Sequence, residues 1–203
     1  RADGSAMEGD PIAQTLALLR RGGIVAIKGL GGFHLACAAT NADAVQRLRT
    51  RKHREAKPFA VMACNRASLA PWVEVSQPEA ALLDSPERPI VLLAQHRIDA
   101  LPDVAPGLAQ LGAMLPVTPI HYLLFHEAAG RPTGTDWLQQ AQPLLLVMTS
   151  ANPSGEPIVR DSDEARASYL QSALADLRFG GRTYGFPLYS NVAVIAFNTA
   201  IFR

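Results

Sequence analysis

Cysteine is scarce in this chain, which contains only Cys37 and Cys64, each inside an apolar stretch. Two cysteines exclude a disulfide framework and a zinc site built from four thiolates. We interpret both as buried structural thiols rather than as a catalytic pair. Long apolar runs are also missing, because stretches such as 90–94 and 144–148 are far shorter than the ~18 residues that a membrane-spanning helix requires. We therefore expect no membrane partner.

The sequence has almost no excess of either charge. Its 19 lysines and arginines against 18 aspartates and glutamates give a formal net charge of +1. This balance gives no whole-chain argument for a nucleic-acid or membrane partner, so any basic site must be local. A hydrophobic fraction of 48% in 203 residues is enough for one large domain or two small ones. Since no internal repeat or clear boundary divides the chain, we expect a single domain over residues 1–203. We also expect a cytoplasmic protein.

Helix and strand signals alternate along the sequence, and this alternation predicts an α/β fold. Asp10 followed by Pro11 is typical of a helix start, and Thr40 with Asp43 fits a capping box. Further helices are predicted from Pro78, from Thr118 and over residues 161–174. Strands are predicted at 24–27, 59–63, 90–94 and 144–148, and a further element of unspecified type at 111–115. An exposed loop is predicted at 130–142 and an apolar run at 192–197 in the tail.

A glycine-rich turn, from Lys28 to His34, follows the first predicted strand. Glycines lack side chains, so a ligand could approach the backbone closely there. The turn is not a dinucleotide fingerprint, which would need glycine at the position of His34, and it lacks the Gly-Lys-Ser/Thr of a Walker loop. Taken alone, the pattern favours an ordinary turn over a ligand site.

A basic cluster, Lys52-His53-Arg54 with Lys57 close behind, stands between a predicted helix and a strand. Most charge runs of this kind are solvated helix ends that complement the helix dipole. Here a lysine and an arginine two residues apart stand at the edge of a rigid element before Pro58, where they could grip a phosphate or acyl-phosphate oxygen.

A polar segment that contains Thr149, Ser150 and Asn152 directly follows the strongest predicted strand. Ligands of open α/β sheets bind outside the carboxyl ends of strands, and Ser150 and Asn152 have the spacing that points two side chains the same way. An ordinary polar turn is the commoner meaning of such clusters. No nucleophile elbow surrounds the segment, so we do not expect a covalent enzyme intermediate. His121 and His126, five residues apart, are interpreted as structural rather than metal-binding.

Together, the glycine turn, Lys52-x-Arg54 and Ser150-x-Asn152 resemble the YrdC-like superfamily, whose pattern is KxR followed much later by SxN. The similarity is closer to the branch formed by the HypF carbamoyltransferases of hydrogenase maturation and covers about residues 11–176. The matching segments lie at 24–37, 51–58, 105–107 and 148–152. The related threonylcarbamoyl-adenylate synthases carry a PTET-Y-G type segment where this chain has Lys28 to His34.

The resemblance implies an α/β fold with an open, twisted, mixed sheet, flanking helices and a concave, positively charged cavity. It also implies an adenylate-forming enzyme that uses ATP, with Mg²⁺, to activate carbamoyl phosphate or carbamate, and no zinc bound by this chain. The implied catalytic residues are Lys52 and Arg54, and the implied nucleotide- and substrate-binding residues are Lys28, Lys57, Thr149, Ser150 and Asn152. No metal-ligating residues are expected. The acceptor of the carbamoyl group would be a HypE-like protein, reached through a longer enzyme that carries further domains.

Two departures from the family pattern stand out. Ala38 occupies a position where the family commonly has aspartate, and the tail from Leu177 lacks the family's final Asp-Asp-Ser-Val type strand. Two alternative functions remain open. One is threonylcarbamoyl-adenylate synthesis for tRNA modification, and the other is a non-catalytic double-stranded RNA-binding module. Any RNA binding by the basic cluster is expected to be weak and electrostatic, because interleaved aromatic residues are missing there.

Overall fold

The computed structural model describes residues 9–29, 32–54, 56–98 and 100–151, and the backbone of two short strands near residue 180. Asn152, the predicted helix at 161–174 and the apolar run at 192–197 lie outside these residues. The helices are α1 (Pro11–Arg20), α2 (Ala42–Arg51), α3 (Arg66–Leu69), α4 (Gln77–Asp84) and α5 (Pro119–Ala128), with a 3-10 turn at Asp136–Leu138. The strands are β1 (Val25–Lys28), β2 (Phe33–Ala38), β3 (Ala60–Ala63), β4 (Val91–Ala94), β5 (Gln110–Met114), β6 (Leu145–Ser150), β7 (Arg178–Phe179) and β8 (Arg182–Thr183).

Helix starts follow the local capping signals closely. The Asp10 carboxylate accepts a hydrogen bond from Ile12 N at 2.8 Å, and Pro11 occupies the first turn, as predicted. The start predicted at Thr40 was wrong by one residue. Asn41 caps α2 by accepting from Ala44 N at 2.9 Å, because an Asn side chain at this position reaches the free amide directly.

The glycine turn is shorter than predicted, and a strand that the sequence did not reveal follows it. β1 extends through Lys28 and β2 begins at Phe33, so Phe33 and His34 belong to a strand. The turn closes through a hydrogen bond from Gly29 N to Gly32 O at 2.8 Å, and Gly32 has φ 147°, which favours glycine. After this tight hairpin comes β2, a buried strand without glycine. Its hydrophobic residues do not alternate with polar ones, so the sequence shows no strand pattern there.

Six strands form one mixed sheet with the order β1-β2-β6-β3-β5-β4. β3 and β5 are parallel, and the other neighbours are antiparallel. β6 occupies an inner position between β2 and β3, which explains its continuous burial from Leu145 to Thr149. The predicted α/β class and the mixed open sheet with flanking helices are therefore confirmed.

Hydrophobic cores cover both faces of the sheet. The α2 face packs against α2, α3, α4 and the segment 101–105, through residues such as Leu48, Leu69 and Leu83. The α5 face packs against α1 and α5, through residues such as Leu19 and Leu124. Side chains alternate between these faces along each strand, so neighbouring residues at a strand end point to opposite faces of the sheet. The predicted loop at 130–142 is largely exposed but carries the buried Trp137 on the α5 face.

Candidate functional site

Lys52 joins two motifs that the sequence separates by 98 residues. It lies at the C-terminal end of α2, where its backbone N–H bonds Leu48 O and Arg49 O. The side chain is only 5% exposed, and its Nζ donates to the main-chain oxygen of Ser150 at 2.8 Å. Lys52 of the KxR motif therefore meets Ser150 of the SxN motif at the carboxyl end of β6, the kind of position where ligands of open α/β sheets bind.

The positive charge of Lys52 is held in an unfavourable environment. Its pKa falls from 10.5 to about 8, first because burial disfavours the ammonium and then because Arg54 and Lys57 add positive charge nearby. Such a site favours a bound anion, because an anion would stabilise the charged form of Lys52.

Arg54 lies beside Lys52 on the segment that leads into β3. Its Nη1 donates to Pro58 O at 3.2 Å, and its guanidinium carbon stands 5.2 Å from the centre of the Phe59 ring. The ring orients a planar guanidinium, a group whose geometry suits phosphate oxygens. Lys57 is exposed at the rim of the same segment. These two cations and Lys52 are what we call the basic site.

Arg49 organises the basic site, and sequence reasoning missed it. The residue is 5% exposed, and its guanidinium lies 5.0 Å from the centre of the Phe59 ring. It donates to four main-chain oxygens from two segments, namely those of Arg54, Lys57, Asp103 and Val104. The signal in the sequence is its position, because Arg49 shares the buried face of α2 with Val45 and Leu48 instead of pointing to solvent.

Lys28 and Thr149 lie at the same end of the sheet. Lys28 ends β1, pairs with Phe33 of β2 and holds its Nζ 5.5 Å from the centre of the Phe33 ring. Thr149 is buried, and its place after Val147 directs it toward the α2 face. Ala151 N donates to Phe33 O at 2.8 Å, which extends the pairing of β2 and β6 beyond Ser150. The described candidate residues thus gather at one sheet end.

Two further histidines, His34 and His121, are partly or fully buried. His34 of β2 lies directly opposite Ser150 in the antiparallel pair, and His121 is a buried residue of α5. Burial lowers the pKa of both, and that of His121 falls to about 4, with the charge of His34 as a second cause. Among the described residues, four buried side-chain atoms have no hydrogen-bond partner: His34 Nδ1, Thr118 Oγ1, His121 Nε2 and Gln142 Oε1.

His126 and the two cysteines have structural surroundings. His126 Nε2 lies 2.9 Å from Pro132 O, and its ring packs on Trp137. Cys37 and Cys64 are both free and buried, as predicted. Burial raises the pKa of the Cys37 thiol to about 12 and that of Cys64 to about 11, so neither thiolate forms readily near neutral pH.

A cavity of about 600 Å³ opens at the opposite end of the sheet, lined by residues that include Asn65, Arg66 and Arg88. It follows the carboxyl ends of the parallel strands β3 and β5, whereas the basic site follows β6, which runs antiparallel to β3. None of the candidate site residues lines it. The part of the chain that the structure describes contains no group of three residues suited to hold a metal ion. No helix within it is long and apolar enough to cross a membrane.

Comparison with known proteins shows the family to which the chain belongs. The model of the Sua5/YciO/YrdC family, described as telomere recombination, matches residues 17–192. The chain belongs to this family. It is 65% identical over 158 residues to the carbamoyltransferase HypF2 of Cupriavidus necator, which covers 77% of this chain and 20% of that protein. The chain therefore spans about a fifth of the length of this relative.

Solved structures share the fold, among them the following two. One is the crystal structure of full-length HypF in the phosphate- and nucleotide-bound form, with 41% identity, a TM-score of 0.71, and coverage of 83% of this chain and 20% of that one. The other is P. abyssi Sua5 complexed with L-threonine, with 19% identity, a TM-score of 0.60, and coverage of 86% of this chain and 45% of that one. At that identity, the second match shows the fold alone.

Proposed function

We propose that this chain forms a carbamoyl adenylate from ATP as the activating step of carbamoyl transfer in hydrogenase maturation. The observation that carries the proposal is the hydrogen bond from Lys52 Nζ to Ser150 O, which puts three cations beside the carboxyl end of β6. Phosphate groups bind where positive charge and free backbone groups meet at a strand end. High identity to carbamoyltransferases supports the choice of the carbamoyl group.

The reaction needs a nucleophilic oxygen, an electrophilic phosphorus and a stabilised leaving group. A carbamate oxygen attacks the α-phosphorus of ATP, the bond from that phosphorus to the bridging oxygen breaks, and pyrophosphate leaves. Lys52 and Arg54 neutralise the charge that develops on the phosphates, and Lys57 adds charge at the rim. Catalysis of this kind rests on positioning and electrostatics, without a covalent enzyme intermediate.

The nucleotide is oriented by the end of β6. In the proposal Ser150 and Asn152 hydrogen-bond the nucleotide, while Lys28 and Thr149 close the α2 side of the sheet end. Mg²⁺ would bind to the phosphate oxygens, as it does in most nucleotide sites, and would partly neutralise their charge. Transfer of the activated group to a HypE-like acceptor protein belongs to the longer enzyme in this proposal.

Isotope exchange between labelled pyrophosphate and ATP tests the proposal. We expect label to enter ATP when ammonium carbamate is present and not when it is omitted, because exchange requires reversible adenylation of the carbamate. Carbamoyl phosphate alone should give no exchange, since its phosphate must first be removed. Wild-type chain and the Lys52→Met variant are compared at equal concentration, with loss of exchange expected in the variant.

A parallel reaction with threonine and bicarbonate separates the two adenylating alternatives. Exchange in that reaction, without exchange on carbamate, would assign the chain to threonylcarbamoyl-adenylate synthesis instead. If neither reaction exchanges label while ATP still binds, adenylation is not the function of this chain.

A further inference from the structure

The Lys52-His53-Arg54 segment ends α2 with the hydrogen-bond pattern of a Schellman motif. His53 N donates to Thr50 O at 3.1 Å, and Arg54 N donates to Arg49 O at 3.1 Å. His53 follows the C-cap residue Lys52 and has φ 49°, so its backbone lies in the left-handed region. The middle residue of the KxR motif is therefore the one that turns the chain out of the helix.

This turn decides where Arg54 lies relative to Lys52. Residues two apart on a continuing helix differ by about 200° around its axis, so their side chains would point to opposite sides. Here Arg54 lies near enough for its charge to lower the pKa of the Lys52 ammonium. The left-handed conformation of His53 thus brings together two cations that a continuing helix would separate.

Arg49 fixes the segment directly after the turn. Its main-chain oxygen accepts from Arg54 N at 3.1 Å, and its Nη1 donates to Arg54 O at 2.7 Å. The guanidinium carbons of Arg49 and Arg54 lie 5.0 Å and 5.2 Å from the centre of the same Phe59 ring. Because Arg49 and Phe59 are 5% and 1% exposed, these contacts hold the backbone of Arg54 against a buried part of the fold.

The end of α1 has the same motif and shows what this position requires. Gly22 N donates to Leu19 O at 3.0 Å, Gly23 N donates to Leu18 O at 2.8 Å, and Gly22 has φ 79°. The corresponding residue of α2 is His53, whose side chain is exposed. Histidine, like asparagine and aspartate, adopts the left-handed conformation more often than other residues with a Cβ. The shared requirement at the two helix ends is therefore a backbone conformation.

We infer that His53 is a positioning residue of the basic site, which acts through the left-handed conformation of its backbone and not through its imidazole. This inference rests on the proposed function, in which Arg54 and Lys52 bind phosphate oxygens of ATP. Glycine and asparagine adopt this conformation readily, so either should replace His53 without loss of ATP binding. Valine should not, because a positive φ is strongly disfavoured for a β-branched residue.

Calorimetric titration of the full chain with ATP tests the inference. We expect His53→Gly and His53→Asn to stay within about twofold of wild-type affinity and His53→Val to bind at least about tenfold more weakly, as loss of a charge-assisted contact predicts. Gly22→Ala is the matched control. It strains the same motif at the end of α1, so it should destabilise the fold and leave ATP affinity unchanged. If His53→Val does not fold, His53→Ala replaces it and should bind ATP more weakly than His53→Gly.

A double-mutant cycle with Arg54 separates positioning from stability. His53→Val should change ATP affinity by less than about twofold in the Arg54→Met background, because the side chain that it displaces is already absent there. Loss of affinity in His53→Gly, equal losses in both backgrounds, or an equal loss in Gly22→Ala would overturn the inference. Wild-type affinity in His53→Val would also overturn it. Absence of ATP binding in the wild-type chain would instead contradict the proposed function, and the inference with it.

Discussion

Lys52 donates from Nζ to the main-chain oxygen of Ser150 at 2.8 Å, although burial and two neighbouring cations disfavour its charge. A methionine of similar shape would remove that charge and leave the packing nearly intact. A buried ammonium whose pKa is lowered by its surroundings contributes little to folding, and the proposed anion binding would give it a different role.

Replacement of Lys52 by methionine should therefore affect binding more than folding. We expect Lys52→Met to weaken ATP binding at least tenfold, since a charge-assisted hydrogen bond contributes about 1.5 to 3 kcal/mol. The free energy of unfolding should stay within about 1 kcal/mol of wild type, because the lost hydrogen bond is offset by removal of a buried charge. Calorimetric titration and urea unfolding measure the two quantities. Arg97→Met, at an exposed position outside both motifs, is the control, and wild-type ATP affinity in Lys52→Met would remove this lysine from the site.

ATP binding should also weaken as the pH rises through about 8. The pKa of Lys52 is lowered to about 8 in the free chain, so the ammonium that attracts phosphate is lost above this pH. Each pH unit above the pKa can reduce affinity by up to about tenfold, and binding near pH 8 should take up protons. Titrations at pH 7 and 9.5 measure the change. Lys52→Arg retains its charge throughout this range, so its affinity should vary much less, and an equal loss in wild type and variant would assign the pH effect to another group.

Arg49 should stabilise the fold and the basic site together. Arg49→Met leaves four main-chain oxygens without their donor, and charge-assisted bonds of this kind contribute about 1.5 to 3 kcal/mol each before partial replacement by water. We expect a loss of about 3 kcal/mol in the free energy of unfolding, with Arg49→Lys recovering only part of it because a point charge cannot reach two segments. Urea unfolding measures both variants.

Arg47 is the matched control for Arg49, because it lies on the same helix and donates to one oxygen, that of Gly22, at 2.6 Å. Arg47→Met should cost about 1 kcal/mol. Equal losses in the free energy of unfolding for the two arginines would show that the bonds of Arg49 stabilise the fold no more than the single bond of Arg47.

Local signals predicted more of this molecule than long-range ones. The start of α1 was readable because Asp10 and Pro11 act within one helical turn. The strand β2 was not readable, since its buried residues show no alternation and a glycine hairpin conceals its start. Arg49 was hidden within a basic run, although its neighbours on the helix face are apolar. Helix periodicity applied to charged residues would have identified it.

The sequence predicted the candidate site residues but not the contacts between them. KxR and SxN suggested a common site, but the bond between Lys52 and Ser150 depends on the order β2-β6-β3, which no local pattern determines. The unpartnered nitrogens of His34 and His121 depend on burial in the folded chain, so the five-residue spacing of His121 and His126 carried no sign of them. Asn152 stays a prediction, because it lies outside the described residues.

The last prediction concerns the stability of the fold at acid pH. The pKa of His121 falls from 6.5 to about 4 in the folded chain, because the ring is buried and His34 lies near. A basic group with a lowered folded pKa binds fewer protons folded than unfolded between pH 6.5 and 4. Its contribution is therefore present above pH 6.5 and is lost as the pH falls toward 4. The loss amounts to about 3 kcal/mol at about 1.4 kcal/mol per pKa unit.

His121→Asn isolates this contribution, because an Asn oxygen can still accept the hydrogen bond from Val117 N while the titrating ring is gone. Urea unfolding between pH 7.5 and 4 should show the free energy of unfolding falling by about 3 kcal/mol more in wild type than in His121→Asn. Carboxylates titrate in both proteins, so their effect cancels in the difference. His53→Asn, at an exposed position, is the control for removal of a histidine. Parallel pH curves for wild type and His121→Asn would mean that His121 is not held neutral by burial.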